Sequence, residues 1–265
     1  MYIIDALGQK VFLPHTPKRI ISLVPSITES LVDLGLSESI VGVTKFCVFP
    51  KSIRQTKQVV GGTKKIDIRK IEIAKPDIIL CNKEENTKEM VEMLRTRYPV
   101  YVNEIKNISD ALKAIIDYGS IFKVSQQAAL MVKEILKQKK QNENIISNAR
   151  KYEVAYYIWK EPWMVAGGQT FINQMLKHAG FNNHYQFLAR YPEVPVANIA
   201  PEVEVILLSS EPFPFKTSHQ DDLNRLFPEK KIVRVDGTYF SWHGSRLRDA
   251  FSYFKKLREE ISILF

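Results

Sequence analysis

The chain has 265 residues, 38 Lys+Arg against 29 Asp+Glu for a formal charge of +9, 45% hydrophobic and 25% charged residues. That balance excludes a disordered tail or a collagen-like fibre, and the length fits one large domain or two lobes, each able to bury its own core. Two cysteines, Cys47 and Cys81, are too few for a disulfide framework, and no apolar run approaches the ~18 residues of a membrane span.

The N-terminus, Met1-Tyr2-Ile3-Ile4-Asp5, lacks a basic stretch followed by an apolar one, and neither cysteine stands near it to take a lipid. As written, the chain is expected in the cytoplasm unless a leader has been removed. The basic residues are dispersed (Lys51, Arg54, Lys57; Lys64, Lys65, Arg69, Lys70; Lys133, Lys137, Lys139, Lys140). With no recognition motif among them they read as solvated lysines and arginines, and no nucleic-acid partner is expected.

In chain order, Tyr2–Asp5 and Lys10–Leu13 flank Ala6-Leu7-Gly8-Gln9 as a hairpin. Ile20–Val24 is a buried strand that Pro25 breaks, and Ser26-Ile27-Thr28-Glu29 has the spacing of a capping box opening a helix to Gly35. Ile40–Val43 is a strand, Thr44–Pro50 a loop, Ile68–Ala74 a helix and Ile78–Cys81 a strand. Asn86-Thr87-Lys88-Glu89 repeats the capping-box spacing ahead of the helix bearing Met90, Val91, Met93 and Leu94, and Val100–Val102 is a strand. Strand-helix alternation with short connections predicts a parallel sheet covered on both faces.

From Val124 to Arg150 there is no proline or glycine, and Val124, Ala128, Ala129, Val132, Ile135 and Leu136 recur at helical spacing. A helix of about 25 residues, roughly 37 Å long, either ties two lobes together or covers one domain. Beyond it come strand Glu153–Trp159, a turn at Gly167-Gly168, helix Thr170–His178 stopping at Gly180, strands Val203–Leu208 and Lys231–Val235, and a last helix with Leu247, Ala250, Phe251, Phe254, Leu257 and Ile261 on one face. The expected architecture is α/β: an N-terminal lobe over 1–122, a connecting helix over 123–151 and a C-terminal lobe over 152–265.

Open α/β sheets hold ligands at the carboxyl ends of their strands. Those positions are aromatic: Phe46 and Phe49 after the Val43 strand, Trp159 and Trp163 after the Trp159 strand, and Tyr239, Phe240 and Trp242 after the Val235 strand. Apolar walls with a few placed polar groups describe a pocket for a large flat or rigid organic molecule; the competing reading is that some rings pack beneath their own loops. No Gly-x-Gly-x-x-Gly, phosphate loop or Gly-x-Ser-x-Gly is present. Cys47 and His243 form a conceivable nucleophile and base with no orienting acid, so an enzyme is not expected and no catalytic residue is assigned. The five histidines show no metal-ligand spacing, so neither a metal site nor a required cofactor is expected.

A series of segments then resembles one family. Pro17-Lys18-Arg19-Ile20-Ile21-Ser22-Leu23-Val24-Pro25-Ser26-Ile27-Thr28-Glu29, Ile40–Val43, Val60-Gly61-Gly62, Lys75–Ile79, Trp163–Gly168 and Phe240–Arg246 follow the order found in metal-chelate substrate-binding proteins of ABC uptake systems. Vitamin-B12 binders are nearest, with siderophore and haem binders as relatives. The resemblance implies two α/β lobes on one long backbone helix, a periplasmic location, and capture of a cobalt corrinoid or iron chelate in a cleft between the lobes. The implied ligand-binding residues are Lys45, Phe46, Phe49, Trp159, Trp163, Tyr239, Phe240, Trp242, His243 and Arg246. Family members also present one glutamate per lobe to the permease; the matching positions here are Arg69 and the vicinity of Ala197 and Asn198, where no acid stands. A scaffold that holds a chelate in the cytoplasm without docking to a permease is therefore the alternative, and a thiol-dependent enzyme the third.

Overall fold

Hydrophobic strands that read as near-continuous apolar runs can be buried on both faces only if helices cover the sheet twice. The structure, a computed structural model, describes residues 1–265 and builds two such sheets. Two compact units result: residues 1–134 with 243–246, and residues 135–242 with 247–265.

The first unit opens with the hairpin β1 (Tyr2–Ile4) and β2 (Lys10–Phe12). Its carboxylate clamp is Asp5, whose buried side chain accepts from the Leu7 and Gln9 amides at 2.9 Å and pairs with Arg95. There follow β3 (Ile20–Ser22), α1 (Pro25–Asp33), β4 (Ile40–Val43), α2 (Ile53–Thr56), β5 (Gln58–Val59), α3 (Ile68–Ala74), β6 (Ile78–Asn82), α4 (Lys88–Arg95), β7 (Val100–Asn103) and α5 (Ile108–Ile121). The helix α6 (Ser125–Ile146) begins in this unit and ends in the second. The sheet is wholly parallel, in the order β5-β4-β3-β6-β7.

Ile21, Ile79, Cys81, Val100 and Val102 from the strands, with Leu23 just past β3, meet Ile71, Met90, Val91 and Leu94 from the helices in one buried cluster. Each such side chain contributes about 1.5–3 kcal/mol on leaving water. The tight α5–α6 corner needs Gly119: a Cβ there would lie 2.6 Å from that of Ala128.

Two expected caps are differently built. Helix α1 starts at Pro25 with Val24 as N-cap and no side-chain cap, because proline's fixed φ and missing N–H suit the first helical position. Ser26, Thr28 and Glu29 are released for other contacts: Thr28 Oγ1 donates to Ser22 Oγ at 2.8 Å, and Glu29 pairs with Arg246. Helix α4 is capped by Thr87, whose hydroxyl accepts from the Met90 amide, and Asn86 instead ties Leu23 O and Thr63 O. Helix α5, capped by Asn107, the elements α2, β5 and, in the second unit, β9, β10, α8 and α9 have no counterpart among the expected elements.

The second unit contains β8 (Tyr152–Trp159), β9 (Met164–Val165), α7 (Phe171–His178), β10 (Phe181–Asn183), β11 (Val205–Ser209), α8 (Thr217–Leu226), β12 (Lys231–Val235), α9 (Thr238–Ser241) and α10 (Leu247–Ser262). Its parallel order is β10-β8-β11-β12, with β9 antiparallel on β8. Thr170 caps α7 by accepting from the Asn173 amide, and Gly180, at φ +75°, ends it. The segment at 196–198 is a single 3-10 turn.

The four residues 243–246 reach the first unit through one close approach. Gly244 sits over α1 at φ +94°, and a Cβ on it would fall 2.1 Å from Ser30 Oγ. Ser30 Oγ donates to Ser26 O at 2.8 Å and accepts from the Ser245 amide at 3.1 Å. Gly244→Ala is expected to lower stability by about 2–4 kcal/mol through left-handed strain and overpacking, read as a drop in the urea midpoint.

Candidate functional site

In an open parallel sheet a crevice forms where neighbouring strands send their chains to opposite sides. In the first unit this point lies between β3 and β6, because β3 connects through α1 to β4 on one flank while β6 lies on the other. The β3 end delivers Ser26 and the β6 end delivers Asn82. His243 stands on both: its Nε2 is 3.3 Å from Ser26 Oγ and 3.5 Å from Asn82 Nδ2.

The orientation of Asn82 is set by its own backbone neighbours. Its Oδ1 accepts from the Glu84 amide at 2.8 Å and the Glu85 amide at 3.3 Å, which leaves the NH2 group towards His243. Only an unprotonated Nε2 can accept from that donor, so the ring proton sits on Nδ1. Burial pushes the His243 pKa down to about 4, and the imidazole is neutral at pH 7.

Arg246 lies beside it. Its guanidinium grips Glu29 in a two-point fork, Nε to Oε2 at 3.0 Å and Nη2 to Oε1 at 2.5 Å, with side-chain exposures of 9% and 16%. Its Cζ stands 4.3 Å from the centre of the Phe49 ring. On the loop after β4, Phe46 is 49% exposed, and Lys45 places its Nζ 5.0 Å from that ring centre. The loop is held from below by Lys45 N donating to Gly61 O at 2.8 Å and Phe46 N donating to Thr44 Oγ1 at 3.2 Å. Lys45, Phe46, Phe49, His243 and Arg246 thus all belong to the first unit.

In the second unit the corresponding point lies between β8 and β11. Trp159 ends β8, 39% exposed, edge-on to Phe213 at 5.7 Å. Trp163 is half-buried, stacked on Phe215 at 5.7 Å and edge-on to Tyr157 at 5.2 Å. Of the three other expected cleft rings, Phe240 and Trp242 are buried and Tyr239 is half-buried. Phe240 is wholly buried between Tyr156 and Phe254, and Tyr239 stacks on Tyr253 at 4.4 Å. Trp242, 7% exposed, donates Nε1–H to Glu211 Oε1 at 2.9 Å. The cause is α9: this short helix turns the residues after β12 back onto α10 rather than leaving them in an open loop.

One exposed ring has no place in the sequence reading. Phe187, 90% exposed, follows the carboxyl end of β10. Its loop pairs with the glycine turn: Gly168 N donates to Leu188 O at 2.7 Å and Arg190 N to Gly168 O at 2.8 Å. A Cβ on Gly168 would lie 2.1 Å from Gln186 O, so the two glycines serve backbone contact, and that contact presents Phe187.

Cys47 is fully buried against the hydroxyls of Thr28 and Thr44, and burial raises its thiol, which leaves no thiolate nucleophile. A depression of about 540 Å3 lies at the opposite, amino edge of the first sheet, lined by Leu13, His15, Glu72, Asp77 and Arg97 among others. Glu72 there is paired with Arg97 and Asp77 accepts from the Lys18 and Arg19 amides, and the depression lies at the end of the sheet away from the switch point. No group of three or more His, Cys, Asp or Glu side chains is placed to hold a metal ion, and no helix is long and apolar enough to cross a membrane.

The family model described as periplasmic binding protein matches residues 20–219. The chain belongs to the periplasmic binding protein family. An ABC transporter substrate-binding lipoprotein of Bacillus subtilis, itself named as uncharacterized, is 29% identical over 180 residues, covering 65% of this chain and 57% of that protein. A vitamin B12-binding protein of Vibrio cholerae is 29% identical over 120 residues, 44% of this chain and 43% of that protein. The chain spans about half the length of the curated relatives it matches. The fold is shared with a periplasmic heme-binding protein of Pseudomonas aeruginosa, at a TM-score of 0.80 and 18% identity over 91% of this chain and 92% of that one. These are binding proteins and not enzymes, in agreement with the sequence reading. The cytoplasmic placement expected from the N-terminus finds no support, because the matched relatives are periplasmic or lipoproteins.

His243 binds fewer protons in the folded chain than in the unfolded one between its ordinary pKa and about 4. Its contribution to stability is complete above about pH 6.5 and is lost as pH falls through 4, at up to about 1.4 kcal/mol per pH unit. His243→Gln should flatten this part of a plot of unfolding free energy against pH.

Proposed function

We propose that the chain is the solute-binding component of an ABC-type uptake system and captures a metal chelate at the carboxyl edges of its sheets. Cobalamin-like corrinoids come first among ligands, iron-siderophores and haem next. The observation that carries the reading is that rings stand exposed where the fold holds ligands: Phe46 at the edge of the first sheet, which also carries the polar group Ser26–Asn82–His243, and Trp159 at the edge of the second. Rigid aromatic faces add contact area to a flat ligand at little entropic cost.

In this reading the rings that touch ligand are Phe46 and Phe49 at the first unit's edge and Trp159 and Trp163 at the second's, with Lys45, His243 and Arg246 as polar contacts; Tyr239, Phe240 and Trp242 pack within the second unit. The ligand is cargo, so no resident cofactor is needed. The chain reaches the periplasm, or the outer face of the membrane, as its relatives do. A permease is the implied partner. Arg69 on α3 and the turn bearing Ala197 and Asn198 are exposed and carry no acid, so docking needs a partner surface that is not simply basic.

Tryptophan fluorescence titration with cyanocobalamin, dicyanocobinamide, haem and a ferric trihydroxamate should show at least one dissociation constant below ~100 μM. Phe46→Ala should weaken that binding by about 1–2 kcal/mol with unchanged thermal stability. No binding across the panel contradicts the proposal.

A further inference from the structure

We infer that the Glu29–Arg246 fork makes the first unit's site selective for chelates without net negative charge, Glu29 acting as a positioning residue through Arg246. This rests on the chelate-binding reading above and deepens it.

A lone arginine beside an aromatic ring at a ligand edge would favour carboxylate, catecholate or phosphate groups, which the guanidinium fork fits. Here that fork is already filled. Both Glu29 oxygens are engaged, the two side chains are 9% and 16% exposed, and in such a setting the pair is a near-neutral plate. The Arg246 Cζ lies 4.3 Å from the Phe49 centre, so the ring covers the guanidinium as well. The neighbouring polar groups carry no charge either: Ser26, Asn82, and the imidazole that takes their hydrogen bonds.

Two further cations stand at this edge, Lys45 and the exposed Arg54, whose guanidinium donates to Lys45 O at 3.1 Å. Lys45 is the one at a site ring. It is exposed and its Nζ lies over Phe46, so it acts through water at the rim. The other lysines that give the chain its charge of +9 are spread over its length, and at physiological salt a charge is screened beyond about 8 Å. An anionic ligand at the switch point would find the Arg246 fork already taken by Glu29 and would gain only the solvated charges of Lys45 and Arg54 at the rim.

The test uses matched pairs that differ in charge but hardly in shape, titrated at 0.15 M salt and pH 7.4: cyanocobalamin against its side-chain carboxylic acid derivative, haem dimethyl ester against haem, and ferrioxamine B against its N-succinyl form. In the wild-type protein the less negative member should bind at least about tenfold tighter. Glu29→Gln should tighten the carboxylate member by about tenfold and so close the ratio; Glu29→Asp should keep it. Glu29→Gln with Arg246→Gln should return the ratio towards wild type, which loss of structure alone would not do.

Equal or tighter binding of the carboxylate member by wild type overturns the selectivity while leaving the chelate reading in place, whatever the variants do. An unchanged ratio in folded Glu29→Gln does the same. No binding by any member of any pair overturns both.

Discussion

A parallel sheet covered on both faces leaves its ligands only the strand ends, and this constraint organises the chain. Wherever neighbouring strands send their connections to opposite flanks, the carboxyl edge opens, and polar groups at that edge are not consumed by the ladder. In the first unit the opening lies between β3 and β6, and Ser26 and Asn82 are the residues that the strand ends place there. What completes the group is remote in sequence. Residues 243–246 reach α1 because Gly244 has no side chain to strike Ser30.

The chemistry of that edge is one of cancelled charge. Asn82 is turned by two backbone amides so that it donates to an imidazole held neutral by burial. Arg246 is neutralised by Glu29 and places its Cζ 4.3 Å from the Phe49 ring centre. Groups so satisfied are rigid before any ligand arrives, which lowers the ordering cost of binding. In the second unit the same economy appears as packing: Glu211 takes the Trp242 N–H, Phe215 backs Trp163, and Trp159 keeps its outer face in water.

The alternation of apolar runs and helices was legible because most strands are short runs of valine, isoleucine and leucine; β4, α3 and β12 start and stop where the pattern says. Helix α5 was legible in principle, since Asn107 and Asp110 mark its cap and Ile108, Ala111, Ile115 and Tyr118 its buried face, but no glycine or proline sets it off. Strand β10 is only Phe-Asn-Asn, a composition without a strand signal, and the exposed Phe187 beyond it went unread for that reason. The aromatic series at 239–242 misled because ring count does not report ring direction. A four-residue helix turns Tyr239, Phe240 and Trp242 onto α10 and Glu211, and nothing in the local spacing distinguishes that from an open loop. Glu29 shows the opposite error: its capping-box spacing was real, and Pro25 made the cap unnecessary, which freed the carboxylate for Arg246.

The most direct measurement of where a ligand sits uses the metal it carries. A high-spin ferric chelate broadens amide resonances by paramagnetic relaxation in proportion to proximity, and this can be read on the isotopically labelled chain. Capture at the carboxyl edge predicts loss of the Phe46, His243 and Arg246 signals of the first unit while those of Leu13, Lys75 and Tyr98, at the amino edge, stay sharp. Broadening centred on the amino-edge residues, with Phe46 and His243 untouched, would contradict the account.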